Sequence, residues 1–290
     1  MGGLGDTGEH PQVGEGGCED RDLPRVRTEE GEGGARLQGH VQMVREMRRS
    51  VREGRRRDTS ALEEVRISTV IFDLDGTLVD TEPDIRRAVD HALDGMGFPP
   101  APPERVRKGI GPGSEIFARI MLPEGGKGRW EEWLFRYRRY YTEHCAERSR
   151  PFPGVPEMLE KLRSLCRIAV ATNKPRYMAE KILDTLELGQ FVDLVVGPED
   201  VSRIKPDPEM LELVLTRLGG GPLETLVVGD TDNDISAGKS LGALTCGVTW
   251  GYFPESELKR LNPDFLVDRP RDVVRIVEIF SEEVESRGVP

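Results

Sequence analysis

The run Thr69-Val70-Ile71-Phe72-Asp73-Leu74-Asp75-Gly76-Thr77-Leu78-Val79-Asp80-Thr81 sets two carboxylates, a glycine and a hydroxyl directly after a short apolar, β-branched stretch. The stretch reads as a strand buried on both faces, which leaves Asp73 and Asp75 at its end. A carboxylate in that place is costly unless a cation or a set of hydrogen bonds compensates. Two at close range resist ionising together. A magnesium ion would relieve both problems, because it takes hard oxygen ligands and usually keeps several waters. The plain alternative is a strand followed by an Asp-Gly turn. The full Asp-x-Asp-Gly-Thr-x-x-Asp-Thr run is more specific than that.

Three more constellations carry chemistry. Ile168-Ala169-Val170-Ala171 runs into Thr172-Asn173-Lys174-Pro175, where a hydroxyl and an amide could donate to a phosphate oxygen or serve as an N-cap or turn. In Ile204-Lys205-Pro206-Asp207-Pro208 two prolines stiffen the frame around one lysine, which suits a cation aimed at a fixed point. Leu226-Val227-Val228-Gly229-Asp230-Thr231-Asp232-Asn233-Asp234 is a second apolar strand ending in acids, and Gly229 permits close backbone approach. A calcium-type loop is the competing reading of those acids, but the later glycine and bidentate Glu of an EF-hand are missing. Asp230 is the stronger ligand candidate. Asp232 reads as a solvated turn residue. Asp234 is suited to bind through water or to orient Lys205.

These groups need a scaffold that gathers strand ends. After residue 151 the pattern alternates helix and strand, with strands expected at 167–172, 193–196, 225–228 and 244–248 and helices at 157–165, 177–186, 208–218, 234–241 and 271–286. Such alternation predicts parallel pairing in a doubly wound α/β sheet, in which ligands bind beyond the carboxyl ends of the strands. Residues 82–150 carry helical periodicity alone, as in Ile85, Ala88, Val89, Ala92, Leu93 and Met96. A helical insertion between the first strand and its continuation reads as a small cap domain. The expected organisation is a leader over 1–64, a core over 65–81 and 151–290, and a cap over 82–150.

The chain has 290 residues and a net charge of −11, with a mean hydropathy of −0.47. That charge argues against broad nucleic-acid binding, although a metal or local cations can reverse the field inside a small-phosphate site. Cys18, Cys145, Cys166 and Cys246 are scattered without metal-type spacing, which suits a reducing cytoplasm. No apolar run approaches membrane-spanning length. The glycine-rich, charged composition of residues 1–64 predicts a segment without a packed core. Its arginine run over 45–57 reads as a solvated extension, with an anionic-surface tail as the other reading.

The four polar runs, in this order and at these element ends, resemble the motifs of the haloacid dehalogenase-like superfamily. Thr172-Asn173-Lys174-Pro175 and Gly247-Val248-Thr249-Trp250-Gly251-Tyr252 are similar to its phosphoglycolate phosphatase-like branch. The resemblance implies a magnesium-dependent phosphatase acting on a small phosphorylated metabolite, as a monomer or homodimer. It implies Asp73 as covalent nucleophile and Asp75 as general acid and then base. Magnesium would be held by Asp73, the Asp75 main-chain carbonyl and Asp230. Thr172, Asn173, Lys205 and the main-chain N–H groups of Gly76 and Thr77 would cradle the phosphoryl group. Lys108, with Arg107 beside it, is the candidate for an anionic substrate tail. The superfamily's dehalogenases lack an acid at the Asp75 position and need no metal, so this sequence points away from them. A phosphosugar mutase of the same fold is the first alternative. A non-catalytic binding module is the second, and the presence of both Asp73 and Asp75 weighs against it.

Overall fold

The computed structural model describes residues 66–286. The leader expected over 1–64 lies outside the described residues. Strand β1 (Thr69–Phe72) is buried at all four positions. Its β-branched and aromatic side chains fit a strand packed on both faces. It pairs in parallel with β4 (Arg167–Ala171) on one side and β6 (Thr225–Gly229) on the other. The sheet continues to β5 (Leu194–Val196) beyond β4, and to β7 (Leu244–Val248) and β8 (Phe265–Val267) beyond β6, giving the order β5-β4-β1-β6-β7-β8. All of its neighbours are parallel. This is the expected doubly wound α/β sheet. The chain leaves β1 toward β4 and later crosses to β6, so the strand order reverses around β1. The crevice at that reversal, beyond the carboxyl ends, is where such sheets hold ligands.

Helices α5 (Val155–Leu162), α6 (Arg176–Thr185), α7 (Glu209–Leu218), α8 (Asp232–Leu241), α9 (Glu255–Arg260) and α10 (Pro270–Ser286) alternate with these strands. Four more lie between β2 (Val79–Asp80) and β3 (Arg150–Pro151): α1 (Glu82–Asp94), α2 (Pro103–Gly109), α3 (Ser114–Met121) and α4 (Trp130–His144). The apolar stripe of α1, which comprises Ile85, Ala88, Val89, Ala92 and Leu93, is buried, and α1 packs against α4. Along α4, Trp133, Tyr137 and Tyr141 stack at 5.1 and 5.3 Å, one helical turn apart. Phe117 of α3 meets the first two edge-on at 5.6 and 5.4 Å. Such aromatic pairs contribute about 0.5–1.5 kcal/mol each beyond area burial. They make the helical block a rigid wall.

Two tethers fix where that block joins the sheet. Asp84 in α1 is buried, and its Oδ2 accepts from the Arg148 and Ser149 main-chain N–H groups at 2.8 Å each and from Ser149 Oγ at 2.9 Å. The Tyr252 hydroxyl accepts from the N–H groups of Thr81 at 2.7 Å and Glu82 at 2.9 Å and donates to Asp80 at 2.8 Å. It thereby satisfies orphan donors at the start of α1.

The sequence pattern misses the antiparallel pair β2–β3, in which Val79 faces Pro151 and Asp80 faces Arg150. Two residues carry no measurable period. It also misses β8 and α9, which are three and six residues long.

Candidate active site

Three of the polar motifs end neighbouring strands. Asp73 follows β1, Thr172 follows β4 and Asp230 follows β6. Lys205 lies in the loop between β5 and α7. Together with Asp75, Asn173, Lys174 and Asp234, the residues Asp73, Thr172 and Lys205 line one cavity of about 70 Å³, whose opposite wall is Phe117, Tyr137, Arg138 and Tyr141 of the helical block.

Carboxylate oxygens of Asp73, Asp230 and Asp234 all lie within 4.8 Å of one another, and all three residues are buried. Lys205 Nζ donates to Asp73 Oδ1 at 2.8 Å and to Asp234 Oδ1 at 2.6 Å. Fully ionised, three carboxylates and one ammonium would carry a charge of −2. Burial pushes Asp73 up to about 7. Lys205 opposes that rise, while Asp234 and Asp75 add to it. Burial also holds Asp230 well above the usual carboxylate range, reinforced by Asp73 and Asp234 against the Tyr252 N–H and Thr77 hydroxyl bonds. Burial favours the neutral amine of Lys205, but Asp234 and Asp73 outweigh it and keep the ammonium charged. Acids that resist ionising, made of hard oxygens and short by two positive charges, fit a divalent cation. Two of the expected ligands, Asp73 and Asp230, belong to this carboxylate cluster, and Asp234 joins them. The Asp75 side chain is not part of the cluster.

Asp230 is held tightly. Its Oδ1 accepts from Thr77 Oγ1 at 3.0 Å and its Oδ2 from the Tyr252 N–H at 2.8 Å. Two glycines make room for it. A Cβ on Gly76, whose φ is +83°, would sit 2.3 Å from Asp230 Oδ2, and one on Gly251 would sit 2.4 Å from the same atom. Asp234 caps α8, accepting from the Thr231 N–H at 3.2 Å and hydroxyl at 2.7 Å through Oδ2, while Oδ1 holds Lys205. Of the two roles open to Asp234 in the sequence, the geometry realises the orientation of Lys205.

Asp75 is positioned separately. Its Oδ1 accepts from Thr81 Oγ1 at 2.5 Å and lies 2.9 Å from Lys174 Nζ. Lys174 Nζ also donates to the Tyr141 hydroxyl at 2.9 Å, so a core acid and a helical-block tyrosine share one cation. Sequence reasoning passed over Lys174, although it stands beside Thr172 and Asn173.

Three expectations need correcting. The N–H groups of Gly76 and Thr77, expected to face a phosphate, donate within the turn to Val79 O at 3.0 Å and Leu74 O at 3.4 Å. Gly76 is demanded instead by the closeness of Asp230. The Asn173 side chain, also expected on the phosphate, is occupied. Its Nδ2 donates to Gly111 O at 2.7 Å and Lys205 O at 2.8 Å, and its Oδ1 accepts the Lys205 N–H at 3.0 Å. Asn173 thus anchors the Lys205 loop and ties it to the helical block. Lys108 is exposed on the last turn of α2 and outside the cavity wall, which begins with the next residue, Gly109. Arg107 is engaged by Glu82 at 2.7 Å. Thr172 remains at the cavity, with its Oγ1 accepting the Lys174 N–H at 3.2 Å.

The model of the haloacid dehalogenase-like hydrolase family matches residues 70–248. A phosphoglycolate phosphatase of Aquifex aeolicus is 37% identical over 210 residues, covering 72% of this chain and 96% of that protein. An N-acetylmuramic acid 6-phosphate phosphatase of Pseudomonas aeruginosa is 35% identical over 225 residues, covering 75% and 97%. Among solved structures, a predicted phosphoglycolate phosphatase from Haemophilus somnus superposes with a TM-score of 0.68 at 29% identity, covering 72% of this chain and 97% of that one. With three motifs at adjoining strand ends, a fourth in the loop after β5, and a matching family model across most of the described residues, this chain belongs to the haloacid dehalogenase-like hydrolases.

Proposed function

We propose that this phosphoric monoester hydrolase acts on small phosphorylated carboxylic acids of the phosphoglycolate kind, through a phosphoryl group carried transiently on Asp73. The observation that carries the reading is the pairing in one cavity of a lysine-bound acid, Asp73, with a second acid, Asp75, fixed by its own two partners. Asp73 attacks phosphorus, and the bond from phosphorus to the alcohol oxygen breaks as the new one forms. Asp75 gives its proton to the departing alkoxide. It then takes a proton from the water that attacks the phosphorus of the acyl phosphate, which returns Asp73 as carboxylate and releases inorganic phosphate. Thr81 and Lys174 hold Asp75 in one orientation through both steps. Lys205 keeps Asp73 aimed and offsets charge on the phosphoryl oxygens. Magnesium, when held by Asp73, Asp230 and the Asp75 carbonyl beside Asp234, supplies positive charge that lets an anionic nucleophile meet an anionic phosphate.

The cavity has space for roughly five water-sized groups. A two-carbon phosphorylated acid is close to that size. A hexose or amino-sugar phosphate requires the helical block to move away, which favours hydrolysis of a small ester over sugar phosphate transfer. The relatives' printed names bear on the acid group and not on size: phosphoglycolate and N-acetylmuramic acid 6-phosphate both carry a carboxylic acid besides the phosphate, and the second is itself an amino-sugar phosphate. Phosphate release from phosphoglycolate and from glucose 1-phosphate, with and without magnesium, tests the proposal in the parent and in Asp73→Asn. The expected result is magnesium-dependent release from phosphoglycolate that Asp73→Asn abolishes. Equal release in the variant removes the nucleophile assignment, and formation of a new sugar phosphate replaces hydrolase with mutase.

A further inference from the structure

Three cations line the cavity: Lys174, Lys205 and Arg138. Two are accounted for. Lys205 is bound between Asp73 and Asp234, and Lys174 pairs with Asp75 and the Tyr141 hydroxyl. Arg138 differs. It sits on α4 between Tyr137 and Tyr141, and its Nε is buried without a hydrogen-bond partner among the described residues. None of their carboxylates lies within ion-pairing distance of it. Several arginines of the helical block are paired, Arg129 and Arg136 with Glu132 and Arg87 with Glu147. A buried guanidinium N–H left unpaired is unfavourable, and native proteins leave few such groups.

We infer that Arg138 binds the carboxylate of the substrate and selects phosphorylated acids over neutral phosphate esters. The placement is suited to it. The floor of the cavity carries Asp73, Asp75 and Asp234, which repel a second anionic group on the substrate. The acid end must therefore point to the opposite wall, where the aromatic rings of Phe117, Tyr137 and Tyr141 make the surroundings apolar and Arg138 supplies charge. A guanidinium presents two parallel N–H donors that match a carboxylate, which an ammonium cannot do. Arg138 also borders an outer groove with Phe135 and Tyr177, so its side chain lies between that groove and the cavity. This assignment takes the place of Lys108 and rests on the phosphatase reading above.

The test compares phosphoglycolate with ethyl phosphate, which has the same two-carbon length and no acid, in the parent, Arg138→Met and Arg138→Lys. The readout is the ratio of kcat/KM for the two esters. Arg138→Met is expected to lower that ratio roughly ten- to a hundredfold, mainly through KM for phosphoglycolate, with Arg138→Lys intermediate. A second readout does not need turnover. In the Asp73→Asn background, phosphoglycolate is expected to raise Tm, and adding Arg138→Met is expected to remove that protection. An unchanged ratio together with unchanged protection overturns the assignment of Arg138 while leaving the phosphatase reading in place. A parent that releases phosphate from neither ester removes the phosphatase reading instead, and the binding arm then decides whether Arg138 still recognises the acid.

Discussion

Replacing Asp73 by asparagine is expected to stabilise the metal-free protein, and to do so more at pH 8 than at pH 5. In the folded chain burial pushes Asp73 from its ordinary value of 3.8 up to about 7. The folded state therefore keeps a proton that the unfolded state has lost, so stability is full below about 3.8 and drains as pH rises through about 7. At about 1.4 kcal/mol per pH unit, the accumulated loss is about 4 kcal/mol at pH 8 and about 2 kcal/mol at pH 5. Asparagine does not titrate, so it escapes this loss. The gain from the substitution should differ by about 2 kcal/mol between the two pH values, or roughly 4–8 °C in Tm for a domain of this size. The assay is thermal unfolding of parent and variant in excess chelator at both pH values, repeated with saturating magnesium. Magnesium is expected to reverse the order at pH 8, because the parent carboxylate gains a counter-charge there. A stability difference that is the same at pH 5 and pH 8 in chelator would refute the claim that burial of an uncompensated acid sets the energetics of this site.

Gly251→Ala is expected to abolish the magnesium-induced rise in Tm and most of the activity, because its new Cβ would lie 2.4 Å from Asp230 Oδ2 and 2.5 Å from Gly76 O. A magnesium titration followed by thermal unfolding checks this. Lys174→Met is expected to lower kcat by roughly a hundredfold, the typical weight of a positioned acid or base. It also removes the cation that Asp75 shares with Tyr141; steady-state kinetics of parent and variant reads the loss.

The chemistry at the floor of the site was legible because each part is local. Asp73 and Asp75 follow one strand, Asp230 and Asp234 follow another, and Lys205 sits in a proline-framed turn. The parallel sheet was legible for the same reason, since its strands are short apolar runs between amphipathic helices. What the sequence hid depends on packing across long separations. Arg138 looks like any cation of an arginine-rich helix until α4 is seen to line the same cavity as Asp73 and Thr172. Lys174 gains meaning only from Asp75, 99 positions earlier in the chain, and from Tyr141. Lys108 drew notice because it borders a glycine-rich turn, but successive residues of a helix are about 100° apart around its axis, so Gly109 lines the cavity while Lys108 is exposed. Asn173 and the Gly76 and Thr77 N–H groups show a further limit. A polar group at a strand end is as often used to build the loop as to meet a ligand, and only the partners tell which.

Tyr252 touches both halves of the apparatus within one residue. Its main-chain N–H holds the Asp230 carboxylate, and its hydroxyl holds the segment where the chain departs for the helical block. A shift in that departing segment is therefore transmitted over a few covalent bonds to an acid of the ion-binding cluster. The pose of the helical roof and the setting of the Asp230 carboxylate are joined through one side chain. Natural variation that shifts the roof is expected to act on that carboxylate as well.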